Sequence, residues 1–239
     1  MKFKYIAAFA FAVALASCDI LDKEPSDSWD SGSAIQTVDD LKYAVNGVYE
    51  TQTGNVSQFG NYTGDFGLFA DLKGSDYKCV GGNNMATEIS RYMATSTSNL
   101  PEAIYKLFYK SIARANKIIE QTKAAGLTGD EVNAYLGELY ALRALFHFDL
   151  ARVYAQLPTV ASSMDNMGIV LATKTLDYTF VPERATLKQT YETILADVDE
   201  AIKLMEPVES THDKNSTTGH MNYWAALALR ARVNLYLDN

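Results

Sequence analysis

The sequence predicts a mostly α-helical chain: a helical-repeat scaffold interrupted by long loop insertions. Apolar residues recur every three to four positions over several long stretches, the period of an amphipathic helix. Capping residues open these stretches, and glycine or proline closes them. In addition, Ala141-Leu142-Arg143-Ala144 recurs as Ala228-Leu229-Arg230-Ala231, 87 residues further on. Each copy lies inside a helical stretch and has a tyrosine beyond it, Tyr154 and Tyr236. The helix after the first copy, with Ala201 and Pro207 near its end, resembles the second helix of a tetratricopeptide pair. Alternating amphipathic helices with such an echo read as a tetratricopeptide-like solenoid.

The first element is a leader. Lys2 and Lys4 precede twelve apolar residues, Tyr5 to Ala16. That run falls short of the ~20 residues of a membrane span but suits a signal-peptide core. Leu15-Ala16-Ser17-Cys18 then matches a bacterial lipoprotein cleavage box, so residues 1–17 are expected to be removed and Cys18 to be lipidated. Residues 18–36 carry Asp19, Asp22, Glu24, Asp27 and Asp30 among serines, the composition of an extended acidic tether.

Residues 37–239 hold the helices. Thr37 and Asp40 form a capping box for a helix whose apolar face is Leu41, Ala44, Val45, Val48 and Tyr49, with Gly54 ending it. Residues 55–98 are rich in Gly, Asn, Ser, Thr and aromatics and keep no helical period, so loops with short helical or extended pieces are expected. From about 100 to 125, Ile104, Leu107, Phe108, Ile112, Ala115, Ile118 and Ile119 share one face, before Gly126. Thr128 and Glu131 read as the capping box of a helix that runs to just before Pro158. Gly137 lies inside it, at a cost of ~1 kcal/mol against Ala unless a neighbouring helix packs closely there. Residues 157–185 read as a partly extended connection. Thr186 and Gln189 open the next helix, and a last one starts near Asn222. That final helix has no C-cap signal and no partner for its apolar face. The sequence therefore reads as the N-terminal part of a helical domain whose C-terminal part is missing.

Charge and composition exclude several functions. The chain has 21 Lys+Arg against 29 Asp+Glu, a net charge of −8. Without the leader and its two lysines the balance is 19 against 29, or −10. Nucleic acid is no partner for such a surface, and electrostatic adhesion to anionic lipid is disfavoured. The N-terminal lipid must supply the membrane attachment. With Cys18 acylated, Cys79 has no disulfide partner. It is either a reactive thiol or a small semi-buried residue.

Enzyme signatures are missing: no His-Glu-x-x-His, no Gly-x-Ser-x-Gly, no phosphate-binding glycine loop. His147, His212 and His220 have no metal-ligand spacing, and His147 reads as a helix-packing histidine. No catalytic residue, cofactor or metal is assigned. Binding chemistry remains. Sugars offer C–H faces to aromatic rings and hydroxyls to planar polar groups. Residues 59–92 supply both, with Tyr62 and Tyr77 as stacking candidates and Asn61, Asp76 and Arg91 as hydrogen-bonding ones. The competing reading of these aromatics is packing beneath the loops.

Several motifs resemble one family. The cleavage box, Leu21 to Trp29, and Thr37 to Tyr49 ending Val45-Asn46-Gly47-Val48-Tyr49 are similar to the start of SusD/RagB-like outer-membrane nutrient-uptake lipoproteins of Bacteroidetes. Asp71-Leu72 through Asp76 resembles their short acidic loop motif, and Ala113-Arg114-Ala115-Asn116 one of their helices. Leu142 to Tyr154 with Leu157-Pro158, Arg184-Ala185-Thr186 with Tyr191 to Ala201, and Ala225 to Tyr236 follow in the family's order. Ala155-Gln156 departs from the glycine usual before the Leu-Pro turn. The resemblance implies a non-catalytic, lipid-anchored protein of the outer membrane, facing outward. It implies capture of glycans or oligosaccharides and their delivery to a SusC-like TonB-dependent transporter. The alternative is a surface lipoprotein whose helical repeats serve protein–protein assembly or peptide capture.

Overall fold

The computed structural model describes residues 34–53, 62–74, 76–77, 79–80, 84–95, 97–208 and 219–238. The chain divides into Met1–Ala34 and Ile35–Asn239, and the fold below is that of the second unit. The leader, Cys18, the tether up to residue 33, Gly54 and Asn61 lie outside the described residues.

The elements follow the predicted order. Helix α1 spans Val38–Thr53. A π-helical turn, Tyr62–Phe66, runs into α2, Gly67–Asp71, and α3 is Asn84–Ser90. Two long helices follow, α4 over Asn99–Ala124 and α5 over Asp130–Tyr154. Strands β1 (Met167–Val170) and β2 (Arg184–Thr186) pair antiparallel, Met167 opposite Thr186 and Val170 opposite Arg184. Helix α6 spans Leu187–Met205, a 3-10 turn covers Glu206–Val208, and α7 spans Tyr223–Leu237. The architecture is mostly α and tetratricopeptide-like, as the periodicity predicts.

Helix α5 is the centre of the helical bundle. It lies against α4 on one side and α6 on the other, with α1 on α4 and α5, and α7 on α6. Its buried residues run all round the helix, from Val132 to Ala151, which is what a helix enclosed by neighbours requires. At Gly137 helix α6 comes close. A Cβ there would sit 2.4 Å from Met205 Cγ and 3.1 Å from the Ala201 carbonyl. The cost of a mid-helix glycine is thus offset by close helix packing.

Three helix starts test the capping predictions. Thr37 and Asp40 form their box: Asp40 N–H donates to Thr37 Oγ1 at 3.2 Å, and Thr37 N–H to Asp40 Oδ2 at 2.9 Å. Thr186 and Gln189 do likewise at 3.1 and 3.0 Å. The Thr128–Glu131 box does not form. Helix α5 starts one residue later than that box needs, with Gly129 at its N-cap in a φ of 121° that side chains disfavour. The last helix also differs from expectation. It does have a C-cap, Asp238 in the left-handed conformation, whose N–H reaches the Asn234 and Leu235 carbonyls.

The echoed arginines take parallel partners on α6. Arg143 grips Asp197 through two bonds, of 2.6 and 2.8 Å. Arg230 lies 3.3 Å from Asp199 at the surface. Thus α6 is flanked by two helices that address it through the same residue of a repeated tetrapeptide, one pair buried and one exposed.

Candidate functional site

The described residues of the segment expected to carry ligand contacts include short helical pieces, and its candidates part company. Tyr62 turns inward. Its ring packs against Phe66 at 5.3 Å and edge-on to Phe108 at 6.0 Å. Its hydroxyl donates to Asp149 Oδ2 at 2.9 Å. Asp149 is fully buried, and burial holds its carboxyl above the ordinary range although Arg152 Nε donates to it at 3.1 Å. The same burial, with the Asp149 charge, pushes the Tyr62 hydroxyl above the usual tyrosine range. The Arg152 guanidinium lies 5.6 Å from the Phe66 ring and 5.2 Å from that of Phe148. Tyr62 therefore pins the segment to α5.

The other described candidates face solvent. Tyr77 is 57% exposed, and Asp76 and Arg91 are exposed as well. Tyr92, beside Arg91, is 73% exposed and adopts a φ of 56°. An aromatic residue in the left-handed region is uncommon and is retained where surrounding contacts enforce it. Here the Tyr92 hydroxyl donates to the Lys73 carbonyl, tying α3 back to the end of α2. Lys73 Nζ in turn lies 4.3 Å over the Phe69 ring. Two tyrosine rings, an arginine and a carboxylate are thus exposed in this segment, while Tyr62 and the Tyr92 hydroxyl fasten its described pieces. Apolar rings beside planar polar groups can hold a sugar's C–H face and its hydroxyls.

Other polar groups hold the scaffold together away from this segment. Arg143, apart from Asp197, donates through Nη1 to Asn116 Oδ1 at 2.7 Å and to the Thr173 carbonyl at 2.9 Å. Asn116 Nδ2 donates to the carbonyls of Ala172 and Lys174 at 2.8 and 3.0 Å. His147, fully buried, accepts the Ala172 N–H on Nε2 at 3.3 Å. Together they clamp the strand connection onto α4, α5 and α6. A further cluster joins α1, α5 and the entry to α7. Tyr49 donates to the buried Glu138 at 2.8 Å, His220 Nδ1 lies 3.1 Å from the same Oε2, and Met221 N–H donates to the Tyr49 hydroxyl at 2.7 Å. Among the described residues no group of three His, Cys, Asp or Glu side chains could hold a metal ion. No described helix is long and apolar enough to cross a membrane.

A family profile described as "Starch-binding associating with outer membrane" matches residues 19–235. The chain belongs to the SusD-like family. SusD-like protein P38 of Formosa agariphila is 26% identical over 246 aligned positions, which cover 99% of this chain and 43% of that protein. SusD-like protein P2 of the same organism is 25% identical over 84% of this chain and 38% of its own length. Among solved structures, a SusD superfamily protein from Bacteroides vulgatus superposes with a TM-score of 0.74 at 27% identity, covering 85% of this chain and 44% of that one. One from Bacteroides thetaiotaomicron gives 0.72 at 25% identity, over 84% and 43%. This SusD-like chain thus spans less than half the length of these relatives, and the match with both structures runs through the helical scaffold described above.

Proposed function

We propose that this chain binds glycans or oligosaccharides and passes them to a SusC-like TonB-dependent transporter in the outer membrane. The observation that carries the reading is the family match across residues 19–235. The exposed side chains of Tyr77, Arg91 and Tyr92 supply suitable chemistry. A relative of the same fold agrees in kind, a surface glycan-binding protein from Bacteroides fluxus that superposes with a TM-score of 0.64. The protein acts by binding and not by catalysis. Residues 1–17 direct export, Cys18 bears the lipid that anchors the protein at the outer membrane facing outward, residues 18–36 form the tether, and 37–239 the N-terminal part of the helical domain.

A second reading, protein–protein assembly, is favoured by one feature: α7 leaves Trp224 58% and Leu235 74% exposed. Glycan-array binding, followed by purification in mild detergent from the native membrane, separates the two. Glycan binding with co-purification of a TonB-dependent barrel supports the first reading. Co-purification without binding to any glycan supports the second. Loss of membrane retention in Cys18→Ala is expected, and unchanged retention would remove the lipid anchor from the proposal.

A further inference from the structure

A separate cleft of about 610 Å³ opens where α5 ends, lined by Tyr154, Gln156, Asp165, Asn166, Met167 and Arg184. Its volume falls within the ~300–1,000 Å³ usual for small-molecule sites. None of these residues belongs to the 62–93 segment, and the sequence by itself marks none of them as a contact.

The lining is fixed in place before any ligand arrives. Arg184 donates from Nε to the Gly168 carbonyl and from Nη2 to the Tyr154 carbonyl, both at 2.7 Å. The second bond satisfies one of the carbonyls that a helix leaves open in its last turn. Two of the five guanidinium N–H groups are thereby used. No carboxylate among the described residues pairs with the rest. Asn166 Nδ2 donates to Gln156 Oε1 at 2.8 Å and to Ser162 Oγ at 3.3 Å. That pairing sets both amides: the Gln156 amide nitrogen is left as a donor and Asn166 Oδ1 as an acceptor. The Tyr154 hydroxyl donates to the Pro101 carbonyl at 2.5 Å, which immobilises its ring. Met167, 67% exposed, adds an apolar wall.

A rigid guanidinium, an amide donor, an amide acceptor and the Asp165 carboxylate thus surround a space walled by an aromatic ring and a thioether. Such a set suits a ring that carries hydroxyls at its edge and C–H groups on its face. One positive and one negative side chain leave the cleft without a dominant charge, so a neutral ring is matched better than an anionic one. We infer that this cleft is a second saccharide-binding site, specific for a neutral pyranose unit. The inference rests on the glycan-binding reading above and extends it to residues that nothing yet assigns.

The test uses the chain labelled with ¹³C at its methionine methyls, the Met167 signal being assigned through Met167→Leu. Maltotriose, cellotriose, mannotriose and, as the anionic control, trigalacturonate are titrated in parallel with calorimetry. A saturable shift of the Met167 methyl with a neutral trisaccharide is expected. Gln156→Ala should weaken it about tenfold, the loss of one good polar contact. Gln156 is exposed and bonded only to a neighbouring amide, so this variant keeps the fold, and circular dichroism checks it. Heat of binding without a Met167 shift would overturn the cleft while leaving the glycan reading intact. Neither heat nor shift with any of the four would count against both. A Met167 shift that is stronger with trigalacturonate would overturn the neutral class, and one untouched by Gln156→Ala would overturn the polar contacts.

Discussion

The buried Arg143–Asp197 pair shows how one side chain holds several elements. Both partners are under a tenth exposed, and burial raises the Asp197 carboxyl above its ordinary range despite the guanidinium beside it. Such a pair contributes little net stability as a pair, yet removing one partner strands the other charge. Asp197→Ala should therefore cost about 3–5 kcal/mol by chemical denaturation, while Arg143→Met with Asp197→Leu should cost less, the remaining loss of about 1–3 kcal/mol coming from the Asn116 and Thr173 acceptors that Arg143 also serves. Equal losses in the two variants would show that the salt bridge is not what matters. His147 makes a pH prediction at the same scale. Burial lowers its pKa from 6.5 to about 3, so protonation favours the unfolded chain. The stability this neutral histidine confers is complete above pH 6.5 and falls away as pH drops towards 3. Between pH 7 and pH 5 the loss should be about 2 kcal/mol. Asp149 and Asp197, raised by burial, run the other way, losing stability as pH rises. In His147→Asn the acid limb between pH 7 and pH 5 should flatten, and an unchanged limb would remove His147 as its source. The sequence alone marks His147 as a packing residue but hides the Arg143 role. An arginine on a helix reads as solvated, and the aspartate that buries it lies 54 residues away.

Whole elements are legible where their signals are local. A side chain three residues from its N-cap decides a helix start, so the Thr37–Asp40 and Thr186–Gln189 boxes are read correctly. Thr128 and Glu131 have the same spacing, but the adjacent Gly129 takes a backbone conformation open to glycine alone and moves the start. The β1–β2 pair reads from sequence only as a partly extended connection, because its short strands are held by side chains as well as by their ladder: Thr190 of α6 accepts the Ile169 N–H, and the Arg184 guanidinium of β2 reaches across to the Gly168 carbonyl. Gly137 gives the prediction for this scale. Its alanine variant gains ~1 kcal/mol of helix propensity but drives a methyl into Met205, which is 2% exposed. Overpacking of a core costs about 1–3 kcal/mol, so Gly137→Ala should be destabilising in the natural background. In a Met205→Ala background the same change should cost less, because only the 3.1 Å approach to the Ala201 carbonyl then opposes the gain in helix propensity. A Gly137→Ala that stabilises both backgrounds would mean the α5–α6 contact is looser than the structure has it.

Across the whole molecule, the aromatic residues of 62–92 separate into those that build the scaffold and those that face outward, a division composition cannot make. Ligand contact and loop packing call for the same rings, and only the fold shows that Tyr62 ends on Asp149 while Tyr77 ends in solvent. The two roles predict opposite behaviour. Tyr62→Phe removes the hydroxyl that Asp149 accepts, leaving a buried carboxylate short of one donor. Stability should fall by about 1–3 kcal/mol, with glycan affinity kept in the fraction that remains folded. Tyr77→Ala and Arg91→Ala touch no buried group, so their unfolding midpoints should stay within about 0.5 kcal/mol of the parent chain. Their glycan affinity should fall about 5- to 100-fold, as the loss of one stacking or polar contact does. Calorimetric titration with the best glycan from the array, beside denaturant unfolding of each variant, measures both quantities. If Tyr77→Ala and Arg91→Ala bind as tightly as the parent chain, the exposed surface of this segment is not the glycan site. If Tyr62→Phe loses affinity with no loss of stability, its hydroxyl serves the ligand and the pin to Asp149 is secondary.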